Sequence, residues 1–167
     1  LGREDIPVLM GSEKKMVYEK GRANNKPRES ESTDFIIREA LKLPENEKLI
    51  IISTGALTNV ASAIMLRPEI AKKISLFWLG QTYDFDKDSW IGEMEFNFSN
   101  DPDAFDLLCD IKDLEFHIMP NNVSGLLRFH NANSIARLEG EKGAGAFIRE
   151  RWRSRSKGHP NNSWTMW

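Results

Sequence analysis

The sequence predicts an α/β fold built on an open, doubly wound and mostly parallel sheet. Three strand-like runs carry this prediction, at Leu49–Ser53, Ile74–Leu79 and Leu114–Met119, and the first two show no polar alternation. Such runs are typical of strands that are covered on both faces. Helical patterns lie between them, and the order strand, helix, strand favours right-handed, parallel connections. At this length we expect a single domain over residues 1–167.

The segment before the first of these runs is predicted to contain a short strand and one helix. Ile6–Met10 is an apolar run that favours a short buried strand, and a polar, Gly- and Lys-rich loop follows it. Ser32 or Thr33 is then placed to cap a helix, because its hydroxyl oxygen can accept hydrogen bonds from unpaired N–H groups of the first turn. Pro44 ends that helix, since proline cannot donate the next backbone hydrogen bond.

Two helices are predicted between the strands. The first follows the turn after Leu49–Ser53 and runs from Thr58 to about Leu66. The second begins at Asp101 and Pro102, because aspartate is a good N-cap and proline is favoured at the first helical position. Beyond residue 120 the pattern weakens, and helices are expected at about 124–137 and 144–156.

Composition excludes some partners. The formal net charge is -2, and charged residues make up 29% of the chain. Nucleic acid is not expected as a partner, because phosphate binding needs a concentrated basic surface. One basic cluster is interpreted as a solvated helix end, where cations are favourable. It contains Arg149, Arg151, Arg153, Arg155 and Lys157.

A single cysteine and the absence of long apolar stretches limit the chemistry and the location. Cys109 leaves no partner for an internal disulfide, and its apolar surroundings in the sequence favour a buried, inert thiol. No apolar stretch approaches the roughly 18 residues of a transmembrane helix, and no signal peptide opens the sequence. We expect no membrane partner and a cytoplasmic location, with the periplasm as the alternative.

The long segment after the second strand is the main candidate for a functional site. Ligands of open α/β sheets bind beyond the carboxyl ends of the strands, and Gly80–Asn97 is too long for a plain connection of about 2–6 residues. In an extended segment Glu95 and Asn97 would point the same way while Phe96 anchors in the core. A carboxylate and an amide in this arrangement can hold sugar hydroxyls. The alternative is a surface loop whose polar side chains are solvated.

Three motifs in order resemble the inosine-uridine-preferring nucleoside hydrolase family. They are Gly2–Val8, Thr54–Ala61, and Glu95–Asn97 followed by Asn100–Ala104. The resemblance covers roughly residues 2 to 128 and implies a Rossmann-like core, of which this chain is expected to be a fragment. Members of the family cleave the N-glycosidic bond of nucleosides with water activated by Ca²⁺.

The resemblance also implies site residues. Thr54 would supply its backbone carbonyl to Ca²⁺, Glu95 would bind the ribose 5′-hydroxyl, and Asn97 would bind a ring hydroxyl, the 3′ in our interpretation. The expected partner is a small nucleoside or another ribosyl substrate, with a homo-oligomer as an option. No residue is assigned to catalysis itself.

Several departures from the family pattern keep other functions open. The family's N-terminal aspartate cluster and its late His-Asp pair have no match here, and Ser89 stands where the family has Asn. We therefore expect this chain alone to be inactive. One alternative is a non-catalytic sugar- or nucleoside-binding protein of the same fold. Another is a glycosidase that acts on a non-nucleoside ribosyl conjugate.

The histidines and tryptophans outside the motifs are weaker candidates. His117 lies inside a predicted strand, which favours a structural role, and His130 has no partner that the sequence identifies. His159 lies in the tail, within reach of the site in one interpretation. Trp90 could stack on a nucleobase or pack in the core. The same two interpretations apply to Trp164 and Trp167.

Overall fold

The computed structural model describes residues 3–21, 25–91, 95–156 and 163–165. Its internal contacts divide the chain into two compact units. The larger unit is Val8–Asn121, and the smaller unit combines Leu1–Pro7 with Asn122–Trp167. The single domain over residues 1–167 stays a prediction.

A three-stranded parallel sheet forms the centre of the larger unit. Its strands are β1 (Leu49–Ser53), β2 (Ile74–Leu79) and β5 (Glu115–Met119), in the order β1-β2-β5. Both pairings are parallel. The predicted α/β fold class, the three strands and their parallel pairing are therefore confirmed.

The helices of this unit begin and end close to the predicted residues. They are α1 (Glu31–Lys42), α2 (Thr58–Leu66) and α4 (Pro102–Asp110), with a 3₁₀ turn at Pro68–Lys73. The predicted cap of α1 is wrong by two or three residues, because the side chain of Ser30 accepts the hydrogen bond from the backbone N–H of Thr33. The predicted start of α4 is confirmed, since Asp101 accepts a hydrogen bond from the N–H of Ala104.

The hydrophobic core lies against one face of the sheet. Leu76 and Trp78 of β2 point into it and are buried together with apolar residues of α1, α2 and α4. On the opposite face Ile50 is 67% exposed and Ile52 is 77% exposed. The expectation that both faces of the sheet are covered is therefore wrong for these two residues. An apolar run reports a preference for burial, but it does not tell which segment provides the cover.

The predicted strand at Ile6–Met10 is wrong. None of these residues is in a strand, and Val8 is 96% exposed. A strand needs a neighbour that pairs with its backbone, whereas the backbone here is fastened to the start of α1. The N–H of Met10 donates to Glu31, and its carbonyl accepts from the N–H of Ser32.

The segment that was expected to be one long loop contains three short elements. β3 (Tyr83–Asp84) and β4 (Ser89–Trp90) form an antiparallel hairpin. A short helix, α3 (Phe96–Asn100), follows it and precedes α4. These elements are too short to produce a periodic pattern in the sequence.

The remaining elements follow β5. They are α5 (Asn121–Ser124), β6 (Arg128–His130), α6 (Asn131–Arg137), α7 (Ala144–Ser156) and β7 (Ser163–Thr165), with β6 and β7 antiparallel. The helix predicted at 124–137 is thus interrupted by β6, whereas the one at 144–156 is confirmed. On α7, Arg153 forms ion pairs with Glu139 and Glu150, at 2.8 Å and 3.0 Å. Of the helices in the described ranges, none has the length and hydropathy that a bilayer span requires.

Candidate functional site

The parallel strands bring the candidate residues to one edge of the sheet. Thr54 follows β1 directly at its carboxyl end, and Gly80 follows β2 in the same way. Thr54 is exposed there, as its expected position requires. Its role as a metal ligand stays a prediction.

A buried tryptophan connects the ends of these two strands. The indole N–H of Trp78 donates a hydrogen bond of 2.9 Å to the carbonyl of Gly55. The same ring lies against Gly80, where an added Cβ would stand 2.1 Å from a ring carbon. Only glycine therefore fits at position 80 while Trp78 keeps this place. The N–H of Gly80 donates to the carbonyl of Met119, which joins the end of β5 to the same edge.

Glu95 is buried at this edge, and its carboxylate caps α3. Its side chain accepts hydrogen bonds from the N–H groups of Gln81, Asn97 and Phe98, at 2.9, 2.9 and 2.8 Å. The residue is only 4% exposed. Hydrogen bonds from several backbone donors fix the orientation of a carboxylate. Glu95 is therefore a rigid acceptor and not a solvated loop residue.

Asn97 is also buried, but the geometry expected around it is wrong. Phe96 is 76% exposed and does not anchor in the core. The segment is the first turn of α3 and not an extended strand, because the carboxylate of Glu95 captures the N–H groups that open a helix. The side-chain N–H of Asn97 donates a 2.7 Å hydrogen bond to the carbonyl of Leu79. Glu95 and Asn97 are nevertheless both tied to the end of β2.

Both side chains retain capacity for a further hydrogen bond. A carboxylate offers about four acceptor positions, and the backbone donors of Glu95 occupy three of them. Among the described residues, none donates to the remaining position, which is on Oε1. The side-chain oxygen of Asn97 has no hydrogen-bond partner within the part of the chain that the structure describes. The pair can therefore accept hydrogen bonds from ligand hydroxyls without giving up its internal contacts.

Gln81 is a component of this edge that the sequence did not reveal. Its backbone has a φ of 64°, in the left-handed region that non-glycine residues rarely adopt. Its N–H donates to Glu95, and its carbonyl accepts a 2.8 Å hydrogen bond from the N–H of Asn121. No sequence signal identifies this residue, because glutamine carries no turn preference of its own.

Other residues of the motifs hold together the elements that lie beneath this edge. Asp101 accepts hydrogen bonds from the N–H of Met16, at 2.9 Å, and from the hydroxyl of Thr58. The side-chain oxygen of Asn59 accepts a 3.0 Å hydrogen bond from the N–H of Ser12. Residues of the motifs at 54–61 and 100–104 thus fasten the segment before α1 to α2 and α4. Their shared role here is structural.

Some of the weaker candidates pack against other residues of the protein, and these contacts account for them without a ligand. Trp90 packs edge-on against Tyr83 and Phe105, with centroid distances of 4.7 Å and 5.9 Å. His117 stacks on Phe77 at 4.4 Å, and its ring nitrogen lies 2.8 Å from Glu115. Ser89 lies in β4, His130 immediately precedes α6, and the backbone of Trp164 belongs to β7. Lys157, His159 and Trp167 lie outside the described residues.

Cys109 is exposed on α4, so its expected burial is wrong. The expected inertness has a physical basis all the same. Partial desolvation of the sulfur, together with the negative charges of Asp106 and Asp110, raises the pKa of the Cys109 thiol to about 11. The thiol is therefore protonated at neutral pH, and a protonated thiol is a poor nucleophile.

The donor set for a metal ion is incomplete in the described residues. Within those ranges, no group of three or more His, Cys, Asp or Glu side chains is placed to hold an ion. Ca²⁺ takes about 6–8 oxygen ligands, and the ligand expected from this edge is the neutral carbonyl of Thr54.

The family model of inosine-uridine preferring nucleoside hydrolases matches residues 1–164. The chain belongs to this family. A search of curated proteins finds no match to this sequence. The match extends past residue 128, where the motif resemblance stopped.

Solved nucleoside hydrolases share the fold. An inosine-guanosine nucleoside hydrolase has a TM-score of 0.63 at 16% identity over 80% of this chain and 43% of its own. A plant nucleoside hydrolase has a TM-score of 0.59 at 16% identity, over 87% and 47%. The purine-preferring ribonucleoside hydrolase of Gardnerella vaginalis has a TM-score of 0.58 at 22% identity, over 84% and 46%. The chain thus spans less than half the length of each of these structures.

Proposed function

We propose that the whole protein is a nucleoside N-ribohydrolase, which uses water to cleave the N-glycosidic bond of ribonucleosides. Membership of the family supports a hydrolase of this general kind. The observation that carries the proposal is the buried Glu95 carboxylate at the carboxyl edge of the sheet, with one acceptor position left. Ligands of parallel α/β sheets bind at such an edge.

In this proposal Glu95 and Asn97 hold the ribose. Glu95 accepts a hydrogen bond from the 5′-hydroxyl, and Asn97 accepts one from a ring hydroxyl, for which we propose the 3′. Backbone donors fix the carboxylate before substrate arrives, so little conformational entropy is lost when the sugar binds. Contacts remote from the breaking bond can then position the ring as it develops oxocarbenium character.

We also propose that the whole protein binds Ca²⁺, with the carbonyl of Thr54 as one ligand. The position of Thr54 directly after β1 supports this proposal, and the other oxygen ligands would come from residues outside this chain. A bound Ca²⁺ would lower the pKa of a coordinated water molecule and so supply the nucleophile. The part played by residues of this chain is to bind and orient the sugar.

The test uses the whole protein with inosine, uridine and p-nitrophenyl ribofuranoside as substrates, and it measures release of ribose. Asn97→Ala should lower kcat/KM about tenfold, which corresponds to about 1.4 kcal/mol for a lost hydroxyl contact. Asn100→Ala is the matched control, because Asn100 lies on α3 but its side chain bonds only to the carbonyl of Phe96. We expect the control to stay within about twofold of the unmodified protein.

Three outcomes contradict the proposal. Equal losses for Asn97→Ala and Asn100→Ala would show that Asn97 does not contact the substrate. Binding of nucleosides in calorimetry without release of ribose would favour a non-catalytic binding protein. Hydrolysis of the aryl riboside without hydrolysis of nucleosides would favour a glycosidase for other ribosyl conjugates.

A further inference from the structure

The turn after β2 contains a buried residue in an unfavourable backbone conformation. Gln81 is 2% exposed and has a φ of 64°. A side chain in the left-handed region crowds the following carbonyl, so this conformation persists only where the surroundings enforce it. Residues in such conformations are often found at functional sites. Gln81 lies at the carboxyl edge of the sheet, where the candidate site is.

The left-handed conformation points both backbone polar groups of Gln81 at neighbouring elements. Its N–H donates to Oε2 of Glu95 at 2.9 Å, and its carbonyl accepts from the N–H of Asn121. Its side-chain oxygen accepts a 3.1 Å hydrogen bond from the N–H of Thr82. The residue therefore connects the ends of β2 and β5 with the cap of α3.

The contact with Gln81 differs from the other two contacts of the Glu95 carboxylate. The N–H groups of Asn97 and Phe98 belong to α3, which Glu95 itself caps. They fix the carboxylate relative to its own helix. The N–H of Gln81, in the turn that follows β2, is the contact of the carboxylate that comes from outside α3. Together with the hydrogen bond from the Asn97 side chain to the carbonyl of Leu79, it places the carboxylate relative to the end of β2.

We infer that Gln81 is a positioning residue for ribose recognition, which acts through the carboxylate of Glu95. The inference rests on the proposed function for its consequence in catalysis. Its structural part, that the conformation of Gln81 holds Glu95 in place, can be measured without any substrate.

The experiment compares substitutions that differ in their tolerance of a left-handed backbone. Gln81→Val should disfavour the conformation strongly, because β-branched residues are rarely found there, whereas Gln81→Asn should keep it. Gln81→Ala is a milder second variant in case the valine protein does not fold. Asp88 is the matched control, since it has a φ of 51° but lies in the exposed turn between β3 and β4.

The first readout is amide hydrogen exchange of Asn97 and Phe98 in the whole protein without substrate. Gln81→Val, or Gln81→Ala, should accelerate exchange at these two amides about tenfold, because local opening of the cap becomes easier. Gln81→Asn and Asp88→Val should leave them unchanged. Unchanged exchange in both the valine and the alanine variants would overturn the inference.

The second readout is the kinetics of ribonucleoside hydrolysis. Gln81→Val should raise KM about fivefold, because the carboxylate proposed to hold the sugar is displaced. Gln81→Asn should restore KM, and Asp88→Val should not alter it. Faster exchange with an unchanged KM would overturn the role in recognition. If the unmodified protein hydrolyses no ribonucleoside, the proposed function fails, and the exchange experiment alone decides whether Gln81 positions Glu95.

Discussion

Glu95 and Asp101 are two buried carboxylates that cap successive helices, yet they fasten different parts of the molecule. Each accepts hydrogen bonds from three donors. Two of the donors to Asp101, Met16 and Thr58, come from distant segments, and the third, Ala104, belongs to the helix that Asp101 caps. The donors to Glu95 come from one helix and from the turn at the end of β2. Burial and capping are alike in the two residues, so the origin of the donors distinguishes Asp101, which holds the frame, from Glu95, the proposed site residue.

A residue can therefore match a family motif for either of two physical reasons: it holds the fold together, or it belongs to the proposed binding site. Asp101 and Thr58 bond to each other across the fold, and this contact holds the segment before α1 against α2 and α4. Glu95 bonds mainly within its own turn and stands at the edge where ligands bind. The first kind of residue should affect stability above all, and the second should affect activity.

Asp101→Ala tests this distinction with the largest expected effect on stability. The substitution leaves buried donors of Met16 and Thr58 without a partner and removes the cap of α4. We expect the free energy of unfolding to fall by on the order of 3 kcal/mol. Urea denaturation of the whole protein measures it. Asp103→Ala is the control, because Asp103 accepts one hydrogen bond, from the N–H of Tyr18, and should cost about 1 kcal/mol.

The comparison breaks if Asp101→Ala, measured where it is still folded, impairs catalysis as much as a change at Glu95. Asp101→Asn separates the role of the negative charge from that of the oxygen acceptor, because the amide retains one oxygen for the cap of α4. This variant should recover about half of the lost stability. A full loss with asparagine would mean that the negative charge, and not the oxygen acceptor, is what the three donors require.

Compared with Asp101→Ala, the substitution Glu95→Ala should have a smaller effect on stability and a larger effect on activity. The loss of its hydrogen bonds should cost about 2 kcal/mol of unfolding free energy, because the side chain is buried and not a solvated part of a loop. In the whole protein, kcat/KM for ribonucleosides should fall about tenfold or more. A 5′-deoxyribonucleoside should lose much less, since the hydroxyl that Glu95 binds is already absent. Equal losses for both substrates would assign Glu95 to the frame together with Asp101.

Glu115 is a third carboxylate, which is partly exposed, and its substitution has the smallest expected effect on stability. Hydrogen bonds from Lys48, His117 and Ser75 lower the pKa of its carboxyl group to about 2. A pKa lowered in the folded state stabilises the fold above the unfolded value, and this contribution is lost as the pH falls toward the folded value. The stability difference between the unmodified protein and Glu115→Gln should therefore be largest at neutral pH and shrink between about pH 5 and pH 2. A difference that does not change with pH would show that the ion pair with Lys48 contributes nothing.

Much of the fold could be predicted because its longer strands and helices have clear hydrophobic patterns or clear start signals. The runs at Leu49–Ser53 and Ile74–Leu79 are apolar throughout, and Asp101-Pro102 is a strong helix start, so their positions agree with the structure. Ile6–Met10 is equally apolar but has no strand beside it, and pairing cannot be inferred from one segment alone. The exposure of Ile50 and Ile52 has a similar cause, since composition does not identify what covers a face.

The candidate site could be predicted only in part. The location of Glu95 and Asn97 beyond the second strand followed from topology, and the structure places both at the end of β2. The conformation between them was wrong, because a carboxylate that caps its own helix looks the same in sequence as one that faces solvent. Gln81 was missed for a related reason. Its left-handed backbone is imposed by tertiary hydrogen bonds, and the local sequence carries no sign of them.

The close contact of Trp78 with Gly80 constrains how this family member can diverge. Any side chain at position 80 would collide with the indole ring, and any smaller residue at position 78 would release the carbonyl of Gly55 and leave a void in the core. Each single change passes through a destabilised protein, so the two positions are coupled. A side chain can therefore be introduced at position 80 only if Trp78 is replaced as well.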